Sequence, residues 1–380
     1  MSWEYKTLDE LGAISRGRSK HRPRNDGTLF GGKYPFVQTA DVKKANLYLT
    51  EYESTYNEKG LEQSKLWKAG TLCITIAANI ADTAILGIDA CFPDSVMGFI
   101  PYDGIANVKF VKYAFDMIQR DCKQISQGTA QDNLSWKKLS TIKFPAPDME
   151  VQNKIVNYLS AYDDLIENNK KQIKLLEEAS ERLYREWFVD LHFPGYEDAK
   201  IVDGVPDGWK NRTVGEVIEK PARSKQIMTS NYQKSGLIPI IDQSRDFIAG
   251  YTNDAEALVE KDVPVIVFGD HTRVLKYIQF PFAKGADGTQ LIISNCDEMP
   301  QSLLYCSLVS IDLSNYHYAR HFKYLKAEKV LIPTLEIANM FDKFCSEIFE
   351  EIQCKRNQIV KLTEARDRLL PQIMNGEVEI

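Results

Sequence analysis

The sequence predicts an α+β fold in which two mixed α/β domains are separated by two long antiparallel coiled-coil helices, arranged as a pseudo-twofold internal repeat. Three observations lead to this class. A stretch that starts at Pro147 recurs from Pro333 without a gap, and 333 − 147 gives a register of 186 residues. Apolar residues in both copies recur at spacings of three and four, which is the pattern of a coiled-coil seam. Each copy follows a region of short β-rich runs broken by Gly, Asp and Asn.

The segments follow from this register in chain order. We call the two regions that precede the helices front 1 and front 2. The predicted boundaries are front 1 at 1–147, a first helix at 148–190, a linker at 191–208, front 2 at 209–333, and a second helix with a C-terminal tail at 334–380.

Front 1 and front 2 are predicted to be small mixed α/β domains built around strands. Residues 3–8 resemble 209–214, and residues 34–37 resemble 238–241. Between the fronts the spacing changes and most identities are lost, whereas the helices keep theirs. This contrast indicates a duplicated scaffold whose two fronts have different tasks.

Each predicted helix carries an apolar stripe that needs a partner, and the other copy is the obvious one. A helix of this length would be on the order of 55 Å long, which is longer than a small domain is wide. Polar residues interrupt both seams at the same steps, Asn169 and Ser180 in one and Lys355 and Arg366 in the other, and would help to fix register. The alternative is two separate amphipathic helices, each lying on its own domain. The predicted pairing residues are Ile155, Leu159, Tyr162, Ile166, Ile173, Leu176, Leu183, Phe341, Cys345, Ile348, Ile352, Ile359, Leu362 and Leu369.

Composition places the chain among soluble globular proteins. Of its 380 residues, 44% are hydrophobic and 26% are charged, so a packed core is expected rather than disorder. We find no apolar run long enough to span a bilayer and no signal peptide, and we expect a cytoplasmic protein without a membrane partner. Seven cysteines without a CxxC pair or a nearby histidine predict reduced thiols and no metal site. The net charge of −6 excludes a protein coated in positive charge, but it permits a nucleic-acid partner that contacts a local basic cluster.

The order of domain, long helix, domain and long helix resembles the specificity subunit of type I restriction-modification enzymes. The resemblance covers essentially the whole chain and depends on the order of several short runs. These are the prolines that open each helix at 144–147 and 331–333, Trp187-Phe188-Val189-Asp190 with Phe193-Pro194-Gly195, the closing run 369–377, and the runs 268–273 and 284–288 in front 2.

In that family each front is a target recognition domain that reads one half of a bipartite DNA sequence. The helices pack as a spacer and dock two methyltransferase subunits, to which motor-nuclease subunits can add. The resemblance therefore implies double-stranded DNA and those subunits as partners. It also implies that S-adenosylmethionine, ATP and Mg²⁺ bind to the partner subunits and that no cofactor binds to this chain. Because the two fronts differ in sequence, the two half-sites should differ too.

The chain is not expected to be an enzyme by itself. It lacks the glycine loop and the Asn/Asp-Pro-Pro-aromatic tetrad of an amino-methyltransferase, a phosphate loop for ATP, and an acidic cluster suited to Mg²⁺. Two other hypotheses remain open. One is a DNA-modifying methyltransferase or nuclease with a fused recognition region, and the other is a coiled-coil scaffold without a DNA role.

A basic segment of front 1 is the first candidate for DNA contact. Arg16, Arg18, Lys20, Arg22 and Arg24 occupy every second position, so in an extended chain their side chains project to one side. Five cations on one edge repel each other unless an anion such as a phosphate is near. A solvated basic loop is the alternative. Arg223 and Lys225 form a weaker version in front 2.

Polar loops of both fronts supply the remaining candidates. Asn and Gln can read adenine, and Arg can read guanine, through paired hydrogen bonds in the major groove. Turns that only connect elements, a structural histidine at position 271 and plain surface lysines are the alternatives. The candidates are Asn79, Thr83, Thr129, Gln131, Asn133, Lys137 and Lys138 in front 1, and His271, Thr272, Arg273, Lys276, Lys284, Gln290, Arg320, His321 and Lys323 in front 2.

Overall fold

The structure, a computed structural model, describes most of the chain as two compact units. It covers residues 3–76, 82–125, 139–202, 204–219, 224–260, 264–315 and 320–377, with the backbone alone at 120–125. Unit 1 comprises Met1–Asn168 with Gln358–Ile380, and unit 2 comprises Asn169–Asn357. Each unit thus contains one front and a part of both long helices.

Unit 1 is built on two main sheets. One has five strands in the order β2-β10-β7-β8-β4, and the other has four in the order β5-β3-β9-β6. A two-stranded pairing of β1 with β11 brings the start of front 1 beside its end. The strands are β1 Glu4–Lys6, β2 Gly12–Arg16, β3 Phe30–Phe36, β4 Tyr48–Leu49, β5 Ser54–Tyr56, β6 Leu66–Trp67, β7 Leu72–Thr75, β8 Thr83–Leu86, β9 Ala90–Cys91, β10 Val96–Pro101 and β11 Phe144–Ala146. Within the described residues of front 1 the helices are α1 Leu8–Leu11, α2 Thr39–Lys44, α3 Glu58–Glu62 and α4 Val108–Ile125.

The core of unit 1 lies between the five-stranded sheet, α4 and the long helices. Strands β7 and β8 are buried along their whole length. Such strands are apolar in sequence because both of their faces are covered. Phe99 of β10 pairs with Ile14 of β2 on one side and with Leu72 of β7 on the other. The sheet thereby fixes where β2 ends and where the basic segment that follows it begins.

Unit 2 contains two four-stranded sheets, ordered β15-β22-β19-β20 and β17-β16-β21-β18. A pairing of β14 with β23 joins the start of front 2 to its end. The strands are β12 Ile201–Val202, β13 Val205–Pro206, β14 Lys210–Thr213, β15 Ile218–Glu219, β16 Ile238–Ile241, β17 Gly250–Thr252, β18 Leu258–Val259, β19 Val265–Gly269, β20 Leu275–Ile278, β21 Phe282–Lys284, β22 Thr289–Ser294 and β23 Lys329–Ile332.

Two long helices follow the fronts. The first, α5, spans Met149–Tyr184 and continues as a π-helical turn at Arg185–Val189. Two helices of front 2 come next, α6 at Gln301–Val309 and α7 at His321–Leu325, and the second long helix, α8, spans Leu335–Met374. Asp148 caps α5, because its carboxylate accepts a hydrogen bond from the Val151 amide at 2.9 Å.

Within unit 2 the two long helices run in opposite directions. The Tyr184 ring lies 6.3 Å from the Phe341 ring, and the Arg356 guanidinium bonds to the Glu177 carboxylate at 3.1 Å. As the residue number rises from 177 to 184 along α5, the number of the contacted residue on α8 falls from 356 to 341, so the two helices are antiparallel within this unit. Within unit 1, Ile155 and Leu159 of α5 share a buried cluster with Leu370 and other residues near the end of α8.

All of the residues predicted to pair the helices are buried or half-buried. Those in unit 1 are Ile155, Leu159, Tyr162, Ile166, Ile359, Leu362 and Leu369, and those in unit 2 are Ile173, Leu176, Leu183, Phe341, Cys345, Ile348 and Ile352. In unit 2 they also contact front 2, since Phe341 and Ile352 belong to the same buried cluster as Phe268 and Tyr277.

Candidate nucleic-acid interface

The basic segment that follows β2 alternates between buried and exposed side chains. Gly17 and Ser19 are buried, whereas Arg16, Arg18, Lys20, Arg22 and Arg24 are all exposed. This is the pattern expected of an extended chain with one face against the protein. The segment therefore presents a row of cations to solvent.

Hydrogen bonds to neighbouring loops hold the basic segment in place. The Arg18 amide donates to the Phe92 carbonyl at 3.0 Å, and the Ser64 hydroxyl donates to the Arg18 carbonyl at 2.8 Å. The Lys20 amide donates to the carbonyl of Gln63 at 3.3 Å. Because the backbone is bound on its inner side, the outward side chains keep a fixed register.

Gly17 permits the close approach that this binding requires. A Cβ atom at this position would lie 2.3 Å from the Pro93 carbonyl oxygen, well inside van der Waals contact. Its amide donates to the Val96 carbonyl at 2.8 Å. A glycine between two exposed arginines is thus required by the adjacent backbone.

The five cations differ in the contacts that their side chains already make. Arg24 forms an ion pair with Asp94 at 2.7 Å, and the Arg22 guanidinium donates to the Ser19 carbonyl at 2.7 Å. Within the described ranges, Arg16, Arg18 and Lys20 take part in no ion pair. These three side chains are the strongest candidates for phosphate contacts.

In front 2, three loops meet around Gln243. Its side-chain amide donates to the Asp287 carbonyl at 2.7 Å, and its side-chain oxygen accepts from the His271 amide at 3.1 Å. The Thr272 hydroxyl donates to the Gln243 carbonyl at 2.6 Å. A Cβ at Gly288, where φ is +84°, would lie 2.7 Å from the Gln243 side chain. Gln243 therefore ties the loops after β16, β19 and β21 together.

Some predicted contact residues of front 2 lie on this loop cluster. His271, Thr272 and Arg273 are exposed, and Lys284 and Gln290 are half-buried. Arg273 has φ +62° and donates to the Leu313 carbonyl at 3.0 Å. Arg320 and Lys323 are exposed at the start of α7.

Lys276 was predicted to contact DNA, and that prediction is wrong. It is only 4% exposed, and its ammonium group donates to the carbonyls of Asp242 and Asp246. Burial lowers the pKa of the Lys276 ammonium to about 8, although Asp242 and Asp246 oppose the shift. The side chain holds the loop after β16 from inside.

Burial also corrects two other predictions of DNA contact, and Lys225, which stays a prediction, is already paired. Thr83 is buried in β8, and His321 is buried with Nδ1 2.8 Å from the Asp270 carbonyl oxygen. Lys225 bonds to Asp254 at 2.7 Å and to Glu256 at 3.0 Å. These hydrogen bonds to both carboxylates raise the pKa of Lys225. One lysine with two carboxylates carries a net negative charge, which disfavours contact with a phosphate.

Several predicted residues lie outside the part of the chain that is described. They are Asn79, Thr129, Gln131, Asn133, Lys137, Lys138 and Arg223.

Sequence reasoning missed the residues that position both candidate surfaces. Gln63 and Ser64 follow the short helix α3 and bind the basic segment across the chain. Gln243 gave no separate signal, although it follows the run Ile238–Ile241 as a strand-end polar residue would. A search for polar residues at strand ends would have found it.

Two exposed apolar patches lie on the long helices, one in each unit. In unit 1 the patch is formed by Tyr158, Ala161, Tyr162 and Leu165, with Tyr158 58% exposed. In unit 2 the patch is formed by Leu176, Leu183, Trp187, Phe344 and Ile348, with Phe344 52% exposed. Since 344 − 158 and 348 − 162 both give 186, the two patches occupy equivalent positions of the repeat. Exposed aromatic side chains in a contiguous patch are typical of protein interaction sites.

The part of the chain that is described has no helix with the length and apolarity needed to cross a bilayer.

Comparisons with known proteins point to one family. Residues 1–178 match the family model described as the type I restriction modification DNA specificity domain. The chain is 25% identical to the type I restriction enzyme MjaIX specificity subunit of Methanocaldococcus jannaschii over all of its own length and 94% of that protein. It is 21% identical to the HindI specificity subunit of Haemophilus influenzae, covering 97% of this chain and 98% of that one.

A solved structure shows that the fold is shared as well. The S subunit of a type I restriction-modification system from M. genitalium matches with a TM-score of 0.54 at 16% identity, over 98% of this chain and 96% of that one. Together with the relatives that match along the whole length, these findings make the chain similar to the DNA specificity subunits of type I restriction-modification enzymes.

Proposed function

We propose that front 1 and front 2 each read one half of a bipartite DNA target for a restriction-modification complex. The observation that carries this proposal is the row of exposed cations at Arg16, Arg18 and Lys20, which is fixed by backbone hydrogen bonds and has no ion pair within the described ranges. A fixed row of cations matches the regular spacing of a phosphate backbone. Side chains of the adjoining loops would then read base edges.

The two fronts present different surfaces, which favours recognition of two different half-sites. Front 1 offers a basic extended segment, whereas front 2 offers the loop cluster around Gln243, with His271 and Thr272 exposed on it. Unlike surfaces contact unlike base sequences, because each base pair presents its own pattern of donors and acceptors. The target is therefore two different short sequences, and the antiparallel helices serve as the spacer between them.

The helices would also dock two methyltransferase subunits, one on each apolar patch. Equivalent patches around Tyr158 and Phe344 favour two copies of one partner, since the same partner surface would fit both. The resemblance to the specificity subunits supports a methyltransferase as that partner, with motor-nuclease subunits joining the complex. S-adenosylmethionine, ATP and Mg²⁺ would then bind to those subunits and none to this chain.

The target is tested by mapping methylated adenines in a host that expresses the chain with its methyltransferase partner. We expect one bipartite sequence with two unlike halves separated by a fixed gap. A palindromic or uninterrupted target would contradict two unlike readers.

Docking is tested with Tyr158→Lys and Phe344→Lys, each alone and together, by measuring the mass of the assembled complex. Each single variant should lose one methyltransferase subunit and the double variant both. The control is Val360→Lys, an exposed position on α8, the helix that carries Phe344, outside both patches. Full assembly of the double variant would show that the patches are not the docking sites.

The competing enzyme hypothesis makes a separate prediction. Equilibrium dialysis of the isolated chain with S-adenosylmethionine should show no binding. Tight binding would favour a methyltransferase with a fused recognition region.

A further inference from the structure

The two long helices are similar enough that like helices from two copies of the chain could pair with each other. The register of 186 residues places the seam of α5 on the seam of α8. A second copy of the chain would present an equivalent apolar stripe, and such an exchange would join two identical fronts. A feature that prevents the exchange must lie where the two repeats differ.

The repeats differ at a buried ion pair in unit 1. Asp163 of α5 and Arg366 of α8 form this pair, with side chains 1% and 16% exposed. The Asn46 side-chain amide donates to one Asp163 oxygen at 3.0 Å, and the Tyr113 hydroxyl donates to the other at 2.6 Å. Arg366 also donates to the Asn46 side-chain oxygen at 2.8 Å. Since Asn46 and Tyr113 belong to front 1, four side chains join front 1 to both helices within unit 1.

Unit 2 fills the equivalent positions with uncharged residues. Because 349 − 163 and 366 − 180 both give 186, Phe349 corresponds to Asp163 and Ser180 corresponds to Arg366. Phe349 is 3% exposed and Ser180 is 2% exposed. The Phe349 ring packs 4.5 Å from the Tyr277 ring of front 2. Unit 2 therefore uses an aromatic ring and a small hydroxyl where unit 1 uses two charges.

We propose that the Asp163–Arg366 pair is a pairing key, which makes α5 pair with α8 and keeps like helices of two chains apart. In a pair of two α5 helices, Asp163 would lie opposite Ser180 of the other copy. In a pair of two α8 helices, Arg366 would lie opposite Phe349 of the other copy. Asp163 would then be buried without a partner of opposite sign, which is strongly unfavourable. Arg366 would lose its enclosed partner and keep only Asp367, the half-exposed neighbour on its own helix that it already contacts at 2.8 Å.

Volume adds to the effect of charge. In a pair of two α8 helices Arg366 would occupy the place that Ser180 fills in unit 2, where the serine is already fully enclosed. A long side chain at such a position overpacks the core. On the α5 side, Asn46 and Tyr113 would stay with Asp163, but neither supplies a positive charge. The pairing key thereby ensures that each molecule carries two unlike fronts, whatever those fronts bind.

The test uses the full chain, cut after it has folded. A protease site is inserted directly after β12, an exposed strand of the linker. Cleavage yields an N-terminal half with α5 and a C-terminal half with α8, held together by their contacts. Incubation in moderate urea followed by its removal lets halves exchange partners. Native mass spectrometry then separates unlike pairs from like pairs by mass.

The cut wild-type protein should reassemble as unlike pairs alone. In Asp163→Phe/Arg366→Ser, which copies the residues of unit 2, the preference for unlike pairs should fall by about a hundredfold or more. The mixture should then approach the statistical one, in which like and unlike pairs form equally often. Like pairs in the wild-type sample, or an unchanged preference in the double variant, would overturn the proposal.

A second ion pair between the helices is a matched control. Glu177 and Arg356 lie 3.1 Å apart in unit 2, with side chains 44% and 26% exposed. Since 356 − 186 is 170 and 177 + 186 is 363, Glu177 would lie opposite Lys170 in a pair of α5 helices and keep an opposite charge, whereas Arg356 would lie opposite Thr363 in a pair of α8 helices. Glu177→Gln/Arg356→Met should therefore leave pairs of N-terminal halves as rare as in the wild type. If the preference for unlike pairs fell as far as in Asp163→Phe/Arg366→Ser, any ion pair between the helices would have the same effect, and the proposal of a specific pairing key would be wrong.

Arg366→Met alone covers the case in which the double variant does not fold. It keeps volume and removes the charge from the C-terminal half only. Pairs of C-terminal halves should then appear, while pairs of N-terminal halves, which still bury Asp163, should not increase. Equal gains of both like pairs would contradict the assignment.

Discussion

Replacing the three unpaired cations of front 1 should weaken the salt dependence of DNA binding by a calculable amount. The variant is Arg16→Ala/Arg18→Ala/Lys20→Ala. These side chains are exposed, lie at alternate positions, and have no ion pair within the described residues. Their removal leaves the inner hydrogen bonds of the segment intact, because those bonds are made by backbone groups.

The magnitude follows from counterion release. Each phosphate contact contributes about 0.9 to the slope of log affinity against log salt concentration, so three contacts contribute about 2.7. Between about 50 and 200 mM salt, that difference in slope corresponds to roughly 40-fold in affinity. The wild-type protein should lose roughly 40-fold more affinity over this range than the variant.

The assay is fluorescence anisotropy of the assembled complex on labelled duplexes, repeated at several salt concentrations. The slope should change equally on target and unrelated DNA, because phosphate contacts carry no sequence information. Lys68→Ala is the matched control, since this exposed cation of the same unit already pairs with Asp89 at 2.7 Å. Its slope should remain that of the wild type.

Equal slopes for the triple variant and the wild type would refute the assignment of these three side chains to phosphates. A reduced slope in the Lys68→Ala control as well would indicate a general charge effect rather than a local contact.

Three further predictions concern the interior and the loops. Lys276→Met tests the lowered pKa of Lys276. The folded protein releases the ammonium proton above about pH 8 and the unfolded chain only near 10.5, so the unfolding free energy of the wild type should rise relative to that of the variant between these pH values. A difference in urea midpoints that stays constant across this window would count against the lowered pKa. Ile352→Lys should destabilise unit 2 by about 3–5 kcal/mol in urea melts, because a charge enters the cluster that contains Phe268, whereas exposed Val360→Lys should change little. Gln243→Ala should relax only one half of the methylated target, since it loosens the loops of front 2 alone, and loss of both halves would contradict separate readers.

Much of the scaffold was predictable because its signals are local. The prolines and Asp148 mark where the helices begin, and the structure starts α5 at Met149 and α8 at Leu335. The alternation of cations after β2 needed only the period of an extended chain, and the structure exposes all five. The helical stripes also gave the residues that become buried along both long helices.

The state of each candidate side chain depended on residues far away in sequence. Arg24 and Arg16 look equivalent in the sequence, but Asp94, seventy positions away, neutralises Arg24 alone. Likewise, the loop after β16 encloses Lys276, and the carbonyl of Asp270 binds His321.

The sequence by itself determined the duplication, the positions of the long helices and the outward row of cations, because periodicity and capping act between near neighbours. Only the tertiary structure decided which cations keep their charge available, and which charges, such as Asp163 and Arg366, are enclosed together. Burial and ion pairing are set by contacts between distant segments, and a linear pattern does not encode which segments meet.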